Sequence, residues 1–381
     1  MVPFSGFPEP LGRFVVGREQ MDFSCVKEDG KVCALTAFFF YPSDDSEGKT
    51  TARYSFPEYR SMRDELLKRI GSAPEKPFDE DFSTCCYEDI GLSGAAETYP
   101  VLLYNHGAGN FPQQGTMICQ ELASEGYLVV SVGHPGSGVQ KCKDGRVIPV
   151  SEEFLEGLAA YGAEVVQLYM QTPQMLMAKL PDDEAYEISR KVTGAPEAVR
   201  FSRFALAQFE DVKCVADALE KINSGEIESI FTGRLDLKAG LGIFGHSFGG
   251  TVSAIACRDD ARFVCGVNYD GNMLGALDSD LKKPFLQLCT PLAYNTNAFL
   301  LRSNSGENDC VIIDNIHHYE FCDSLFTNRD EGFIGSRDPM EIRKLITSYT
   351  KAFFDRHLLK QKRTALETLS FPGTELIKTG V

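Results

Sequence analysis

The chain has 381 residues, which is enough for one large α/β domain or two modest ones. Its formal net charge of −16 argues against nucleic acid or an anionic membrane as a partner, because both would repel the chain. The sequence contains no run of about eighteen apolar residues, so no transmembrane helix is predicted. The opening MVPFSGFPEPLGRFVVG lacks the basic and apolar segments of a signal peptide. We therefore expect a cytoplasmic protein without stable membrane insertion.

Short apolar runs with turn residues after them predict eight β-strands. They are 13–26, 32–42, 101–107, 127–134, 240–247, 263–270, 284–290 and 310–315. The first two form an opening hairpin in this prediction. The later ones are almost wholly apolar, which is typical of a parallel sheet that is covered on both faces.

Helical patterns separate several of these strands. They span 116–126, 195–225 and 338–359, and the first ends at Gly126, a common helix-terminating residue. Alternating strands and helices predict a doubly wound α/β fold with a mostly parallel sheet and helices on both faces.

Two long connections interrupt the alternation. Residues 43–98 are polar and rich in turn residues, whereas residues 135–194 include a Met-rich helical segment at 152–180. We interpret 135–194 as a helical, cap-like insertion within a single domain, 1–381, because long connections tend to be functional and Met-rich surfaces adapt to apolar ligands. The alternative is a surface helix that buries its apolar stripe against the core.

The cysteines are scattered, and most lie in apolar runs. The sequence has no C-x-x-C pair and no Cys/His cluster with metal-ligand spacing. We therefore expect buried free thiols in a reducing cytosol, no metal site and no cofactor. The twelve positions are Cys25, Cys33, Cys85, Cys86, Cys119, Cys142, Cys214, Cys257, Cys265, Cys289, Cys310 and Cys322.

A candidate nucleophile lies at the end of the fifth predicted strand. Ser247 stands in GLGIFGHSFGGTVSAIA (240–256), with an apolar strand before it and a helical stretch after it. This strand–turn–helix setting is what a nucleophile elbow requires, and the helix N-terminus then points free N–H groups towards the serine. The alternative interpretation is a structural tight turn.

A serine nucleophile needs a base, and the base needs an acid that orients it. Of the six histidines, His317 and His318 follow the last predicted strand, where the base of this fold is expected. Asp270 ends the 263–270 strand and is our preferred acid. Other acids in the interval are Asp278, Asp280 and Asp309, which we assign to polar loops, and Asp314, which lies very close to the histidines.

The second donor of an oxyanion hole should follow the third predicted strand. Residues 105–109, NHGAG, occupy that place, so we expect the backbone N–H groups of Ala108 and Phe248 to hold the oxyanion. The alternative is an ordinary glycine-rich strand exit. A dinucleotide fingerprint is excluded because G-x-G-x-x-G is absent there.

With these residues in view, the chain resembles the platelet-activating-factor acetylhydrolases of the plasma and type II intracellular kind, together with their bacterial dienelactone-hydrolase-like relatives. The likeness runs from about residue 8 to about residue 359. The stretches that carry it are PEPLGRFVVG, FFFYPS, YPVLLYNHGAGNF, LASEGYLVVSVGHPGS, GRLDLKAGLGIFGHSFGG, RFVCGVNYDG and AFFDRHL.

The resemblance implies an α/β-hydrolase fold and a calcium-independent serine esterase without a cofactor. It implies Ser247 as nucleophile, Asp270 as acid and His318 as base, the last because H-x-x-F-x-D begins at His318. It implies the Ala108 and Phe248 amides as oxyanion donors. Residues 134–137 follow the bacterial relatives, and 135–194 matches poorly, which leaves substrate choice open.

We therefore expect hydrolysis of short-acyl carboxylic esters, such as phospholipids with a short or oxidised sn-2 acyl chain. The alternatives are a general small-ester, dienelactone or cutinase-like hydrolase, a non-catalytic homologue that binds a ligand, and an interfacial lipid-binding protein that uses 152–180. The sequence leaves the oligomeric state open.

Overall fold

In the computed structural model, residues 4–27, 30–69, 82–274, 280–327, 334–361 and 366–379 are described. Within them the strands are β1 (Val15–Val26), β2 (Val32–Ser43), β3 (Thr51–Arg53), β4 (Ser83–Tyr87), β5 (Val101–Asn105), β6 (Leu128–Val132), β7 (Gln140–Lys141), β8 (Val147–Ile148), β9 (Leu241–His246), β10 (Phe263–Tyr269), β11 (Phe285–Cys289), β12 (Asn308–Ile313) and β13 (Thr374–Thr379). The helices of the same ranges are α1 (Pro57–Arg69), α2 (Thr116–Ser124), α3 (Glu152–Gln171), α4 (Asp182–Thr193), α5 (Pro196–Ser224), α6 (Phe248–Asp259), α7 (Pro291–Ser303), α8 (Ser324–Thr327) and α9 (Pro339–His357).

The described strands form one large mixed sheet and a small separate ribbon. The large sheet has the order β13-β12-β11-β10-β9-β5-β6-β2-β1-β4-β3, and β7 pairs with β8 in the ribbon. From β12 to β6 all neighbours are parallel, whereas β2 runs antiparallel to β6 and to β1. The α/β class, the mostly parallel sheet and the opening hairpin are confirmed, and each of the eight predicted strands is present.

The sheet is wider than predicted, because β3, β4 and β13 extend it to eleven strands in the described ranges. These three strands are short or lie in polar sequence at the sheet margins, where one face meets solvent and the apolar signal is weak. The polar stretch 43–98 likewise contains β3, α1 and β4, rather than irregular chain alone.

Alternate residues of the central strands feed two apolar cores. In β5, Val101 and Leu103 belong to the core under α5 and α6, whereas Leu102 and Tyr104 belong to the core under α2 and α9. All four side chains are fully buried, and a residue of this kind stabilises the fold by roughly 1.5–3 kcal/mol. Burial on both faces explains the continuous apolar runs of the sequence.

One prediction about the cysteines is wrong. Cys25 of β1 and Cys214 of α5 form a disulfide bond across 189 positions, whereas the other ten cysteines are not disulfide-bonded. The pairing depends on the contact between α5 and β1, which no spacing pattern in the sequence reveals. Disulfide bonds persist mainly in oxidising compartments, so this bond does not support the cytoplasmic location, which stays a prediction.

No helix of the described residues combines the length and the apolar composition that crossing a bilayer requires.

Candidate active site

The candidate site lies at the carboxyl ends of the parallel strands. Strand β5 pairs with β6 on one side and with β9 on the other. The chain therefore reverses its direction of progress across the sheet between β5 and β9, which makes this a topological switch point. Crevices at such points are where ligands bind in open α/β sheets. The loops after β5 and β9 carry NHGAG and Ser247, respectively.

Ser247 occupies a sharp turn between β9 and α6. Its φ of 55° and ψ of −122° lie outside the regular regions, a strain that is found mainly at functional sites. The turn is held by a hydrogen bond from the Ser247 N–H to the Tyr269 carbonyl (2.8 Å). It needs glycine at 249, because a Cβ there would lie 2.1 Å from the Asn105 carbonyl oxygen. The strand, turn and helix are those that the sequence predicted.

Three predicted residues from three different loops meet in one hydrogen-bonded chain, hereafter the serine cluster. His318 Nε2 lies 2.9 Å from Ser247 Oγ, and His318 Nδ1 lies 2.8 Å from Asp270 Oδ2. The other carboxylate oxygen, Asp270 Oδ1, accepts hydrogen bonds from the Thr290 N–H (2.6 Å) and hydroxyl (2.8 Å). Asp270 is 5% exposed, and both its oxygens therefore have fixed partners.

The structure also separates the alternatives that the residues alone left open. His317 is exposed and caps the turn at His318–Phe321, so it does not join the serine cluster. Asp280 holds Ser305 at the surface, as its loop assignment implied, and Asp314 is exposed. The loop assignment of Asp309 is wrong, because it is a fully buried residue of β12. Asp278 lies outside the described residues.

His318 is held in place by two neighbours whose part the sequence did not reveal. The His246 Nε2–H donates to the His318 carbonyl oxygen (2.9 Å), and the two imidazole rings lie 4.7 Å apart. Burial, reinforced by the neighbouring His318, lowers the pKa of His246 well below its ordinary value, so the ring is neutral. Asp323 accepts hydrogen bonds from the N–H groups of Thr116 (2.8 Å) and Met117 (2.9 Å), which fixes the loop after His318 to the N-terminus of α2.

The loop after β5 is fixed so that one amide has a defined direction. The Gly107 carbonyl accepts hydrogen bonds from His106 Nδ1–H (2.8 Å) and the Asn110 N–H (3.2 Å). Burial, with a smaller contribution from His134, lowers the pKa of His106 to about 3, so the imidazole is neutral at physiological pH. Because the peptide unit is planar and trans, the Ala108 N–H points away from this anchored carbonyl.

The same loop lies beside the serine. The Gly107 N–H donates to Gln114 Oε1 (2.8 Å), and a Cβ on Gly107 would lie 3.4 Å from Ser247 Cβ. Phe248 is the first residue of α6, and the first N–H groups of a helix have no partner within the helix. Ala108, Ser247 and Phe248 line one common pocket. The arrangement can therefore present two amides to a negative charge beside Ser247 Oγ.

This pocket has a volume of about 740 Å³. One wall comes from α3 and the turn that follows it, through Leu158, Tyr161, Tyr169, Leu176 and Met177. The Tyr161 and Tyr169 hydroxyls accept hydrogen bonds from the Asn272 amide (3.2 and 3.1 Å). Within the described residues, the lining contains no lysine or arginine. The pocket therefore suits an apolar or aromatic group.

Several supporting residues were missed by the sequence reasoning. His246 is not among the histidines that the sequence analysis names, and Asp323 enters it only as the last residue of the H-x-x-F-x-D pattern. That pattern was the one available signal for Asp323, since it places an acid at a fixed distance from the histidine. Thr290 and Gln114 carry no local signal, because their partners lie far away in the chain.

Comparisons with known proteins indicate the family of the chain. A family model described as "Platelet-activating factor acetylhydrolase, isoform II" matches residues 3–305, a range that includes Ser247 and Asp270 and ends before His318. Platelet-activating factor acetylhydrolase of Gallus gallus is 24% identical over 349 residues, which cover 84% of this chain and 77% of that protein. The protein of the same name from Canis lupus familiaris is 24% identical over 282 residues, which cover 69% of this chain and 58% of that protein.

Among solved structures, a ferulic acid esterase from Streptomyces cinnamoneus is similar, with a TM-score of 0.66 and 18% sequence identity. The match covers 98% of this chain and 99% of that one. It supports the α/β-hydrolase fold that the sequence predicted.

Proposed function

The chain belongs to the platelet-activating factor acetylhydrolase, isoform II, family and is an ester-hydrolysing enzyme, and from this premise we propose that Ser247 is its nucleophile, His318 its general base and Asp270 the acid that orients the base. One observation carries the proposal: the unbroken hydrogen-bond chain from Ser247 Oγ through the His318 ring to Asp270.

The hydrogen-bond partners of His318 determine which ring nitrogen has the proton and where the Ser247 hydroxyl proton goes. The Asp270 carboxylate accepts a hydrogen bond from His318 Nδ1–H, which leaves the lone pair of Nε2 facing the Ser247 hydroxyl. His318 takes the hydroxyl proton as Oγ attacks the ester carbonyl. Asp270, held by Thr290, stabilises the imidazolium that forms.

The oxyanion of the tetrahedral intermediate then accepts hydrogen bonds from the Ala108 and Phe248 N–H groups. The anchored Gly107 carbonyl and the N-terminus of α6 support this role. Loss of one such donor typically costs about 3 kcal/mol of transition-state stabilisation. The alcohol leaves with the proton from His318, and water activated by the same histidine hydrolyses the acyl-enzyme.

For substrates, we propose short-acyl carboxylic esters, including phospholipids with a short or oxidised sn-2 acyl chain. The apolar and aromatic lining of the 740 Å³ pocket suits the acyl group. Residues 135–194, hereafter the insertion, act in this proposal as a cap, because Leu158, Tyr161 and Met177 contribute to the pocket wall.

A broader esterase for small neutral esters is the second candidate. The described lining has no lysine or arginine to pair with a phosphate, so a phospholipid head group would have to remain outside the pocket. Under this alternative, the chemistry at Ser247 is the same and only the alcohol part of the substrate differs.

The test is hydrolysis of p-nitrophenyl esters from acetyl to octanoyl, with a short-sn-2 phospholipid in parallel. Wild type is compared with Ser247→Ala and, as a matched control, with Ser224→Ala at an exposed serine. We expect Ser247→Ala to lower kcat by about 10⁶-fold and the control to match wild type. A folded Ser247→Ala protein that keeps its activity would refute the nucleophile.

The relative rates on the phospholipid and on the simple esters separate the two substrate candidates. A folded wild type that hydrolyses none of these esters would instead favour a ligand-binding homologue.

A further inference from the structure

A second group of acidic and histidine side chains lies at the amino ends of the parallel strands, whereas Ser247 lies at their carboxyl ends. Glu307 and Asp309 flank the first residue of β12, at its amino end, and His357 is the last residue of α9. The Glu307 carbonyl accepts a hydrogen bond from the Phe285 N–H (2.9 Å), which ties this backbone to β11. The three side chains therefore come together where the end of α9 packs against the sheet.

Their potential ligand atoms face one another. A carboxylate oxygen from Glu307, one from Asp309 and a ring nitrogen of His357 all lie within 4.8 Å of each other. Glu307 Oε2 and His357 Nε2 are 3.9 Å apart. A separation of this size is too long for a direct hydrogen bond and short enough for two ligands of one ion.

Two of these side chains are buried and have polar atoms without a hydrogen-bond partner. Asp309 is 0% exposed and His357 is 7% exposed. Within the described residues, neither oxygen of Asp309 nor Nε2 of His357 has a hydrogen-bond partner. Leaving such polar atoms buried and unpaired is unfavourable, and more so for a charged group, so native proteins rarely do so without an ion or water.

We propose that Glu307, Asp309 and His357 form a structural binding site for a divalent transition-metal ion, with zinc as the reference ion. Two carboxylate oxygens and one imidazole nitrogen are ligands that Zn²⁺ accepts, with a water as the fourth. Ca²⁺ and Mg²⁺ prefer sites made of oxygen alone, so the histidine selects against them.

The geometry requires a modest closure. Ligands at 2.0–2.2 Å from a tetrahedral zinc are about 3.4 Å apart, and Glu307 is the partly exposed member that can move to reach this distance. The movement is constrained on one side, because Arg356 holds Glu307 Oε1 at 2.6 Å. The other oxygen, Oε2, remains directed at His357.

Nearby cations set the strength of binding. Arg356 pairs with Glu307, Lys378 pairs with Glu367, and the Lys360 ammonium donates to the His357 carbonyl oxygen (2.6 Å). Lys378 also lies opposite Asp309 in the pairing of β12 with β13. These charges oppose a divalent ion, so we expect weaker binding than in zinc sites made of thiolates.

The expected consequence is stability rather than catalysis, since the ion would join the end of α9 to β12. The full chain, freed of metal with a chelator, is melted without added metal and with Zn²⁺, Mn²⁺ or Ca²⁺. We expect Zn²⁺ at a large excess over its Kd to raise the Tm by roughly 5 °C, Ca²⁺ to have little effect, and ester hydrolysis to stay unchanged.

Asp309→Asn and His357→Gln should each abolish the Zn²⁺-dependent rise in Tm. Glu367→Gln and His317→Gln are the matched controls, since they remove a neighbouring acid and a histidine elsewhere, and both should keep it. The absence of a rise in wild type, or its persistence in the two site variants, would overturn the proposal.

A measurement on the wild type alone covers the case in which a variant does not fold. X-ray absorption at the zinc edge of a one-to-one complex should show nitrogen and oxygen ligands only. Sulfur in the first coordination shell would place the ion on some of the ten cysteines outside the disulfide bond and would refute the site.

Discussion

The serine cluster and the insertion that lies beside it are built in contrasting ways. Asp270 is almost fully buried, and both its oxygens are hydrogen-bonded to side chains or backbone from other elements. In the insertion, Met170 is 69% exposed and Met177 is 85% exposed, and α3 buries only Phe154, Leu155 and Val165. The serine cluster is thus fixed by directional bonds, whereas the pocket wall combines two tyrosine hydrogen bonds to Asn272 with large apolar side chains that are exposed to solvent.

This contrast separates two properties of an esterase. Groups that carry out bond making need a defined geometry, and hydrogen bonds from several elements supply it. Groups that merely contact an acyl chain need apolar area, and flexible methionine side chains supply that without a unique arrangement. Changes in the serine cluster should therefore affect all esters equally, and changes in the insertion should discriminate between them.

Among the residues that support Ser247, the largest effect is expected from Asp270→Asn. Asparagine keeps the shape but cannot hold the His318 ring in the required tautomer or stabilise the imidazolium, so kcat should fall by about 10⁴-fold. Kinetics on p-nitrophenyl acetate, butyrate and octanoate should give the same factor for each ester. Asp280→Asn, at a surface carboxylate that binds Ser305, is the control and should match wild type. If the loss of kcat varied strongly with acyl length, the serine cluster would also take part in acyl selection, contrary to the comparison.

A smaller and equally uniform effect is expected at His246. His246→Leu removes the hydrogen bond to the His318 carbonyl, and a net bond of this kind is worth up to about 1.5 kcal/mol. We expect kcat to fall by about tenfold, with KM unchanged and the loss independent of acyl length. His246→Gln retains a donor and should recover most of the rate. If both variants lost rate equally, His246 would act only by filling space.

The sequence predicted those features of the fold and the site that have a local pattern. The eight strands, the turn at Ser247 and the position of Asp270 depend on local patterns, because buried parallel strands are apolar and the sharp turn needs glycine. The choice of His318 over His317 came from the family resemblance alone, and the observed hydrogen bonds agree with it.

The features that were missed depend on contacts between distant segments. Helix α4 has an acidic first turn, and two of its four buried residues are the polar Ser189 and Thr193, so apolar residues alone do not mark its buried face; it packs against α7 far along the chain. The Cys25–Cys214 bond and the burial of Asp309 likewise exist only in the folded chain. Local propensity contains no information on such long-range partners, whatever its strength.

The smallest effect, and the one that discriminates, is expected at the tip of the insertion. Leu176 and Met177 line the pocket and are exposed in the free protein, so Leu176→Ser with Met177→Ser should not disturb folding. A long acyl chain would bury these side chains at roughly 0.8 kcal/mol per CH₂, whereas an acetyl group is too short to reach them. We expect kcat/KM to fall about fivefold for octanoate and to stay constant for acetate.

Met170→Ser is the matched control, because Met170 is exposed on α3 but lies outside the pocket lining. An equal loss on both esters would mean that the insertion supports the serine cluster itself, and no loss on either would mean that the acyl chain lies elsewhere. A loss on octanoate alone would assign acyl selection to the insertion and leave the chemistry with the core.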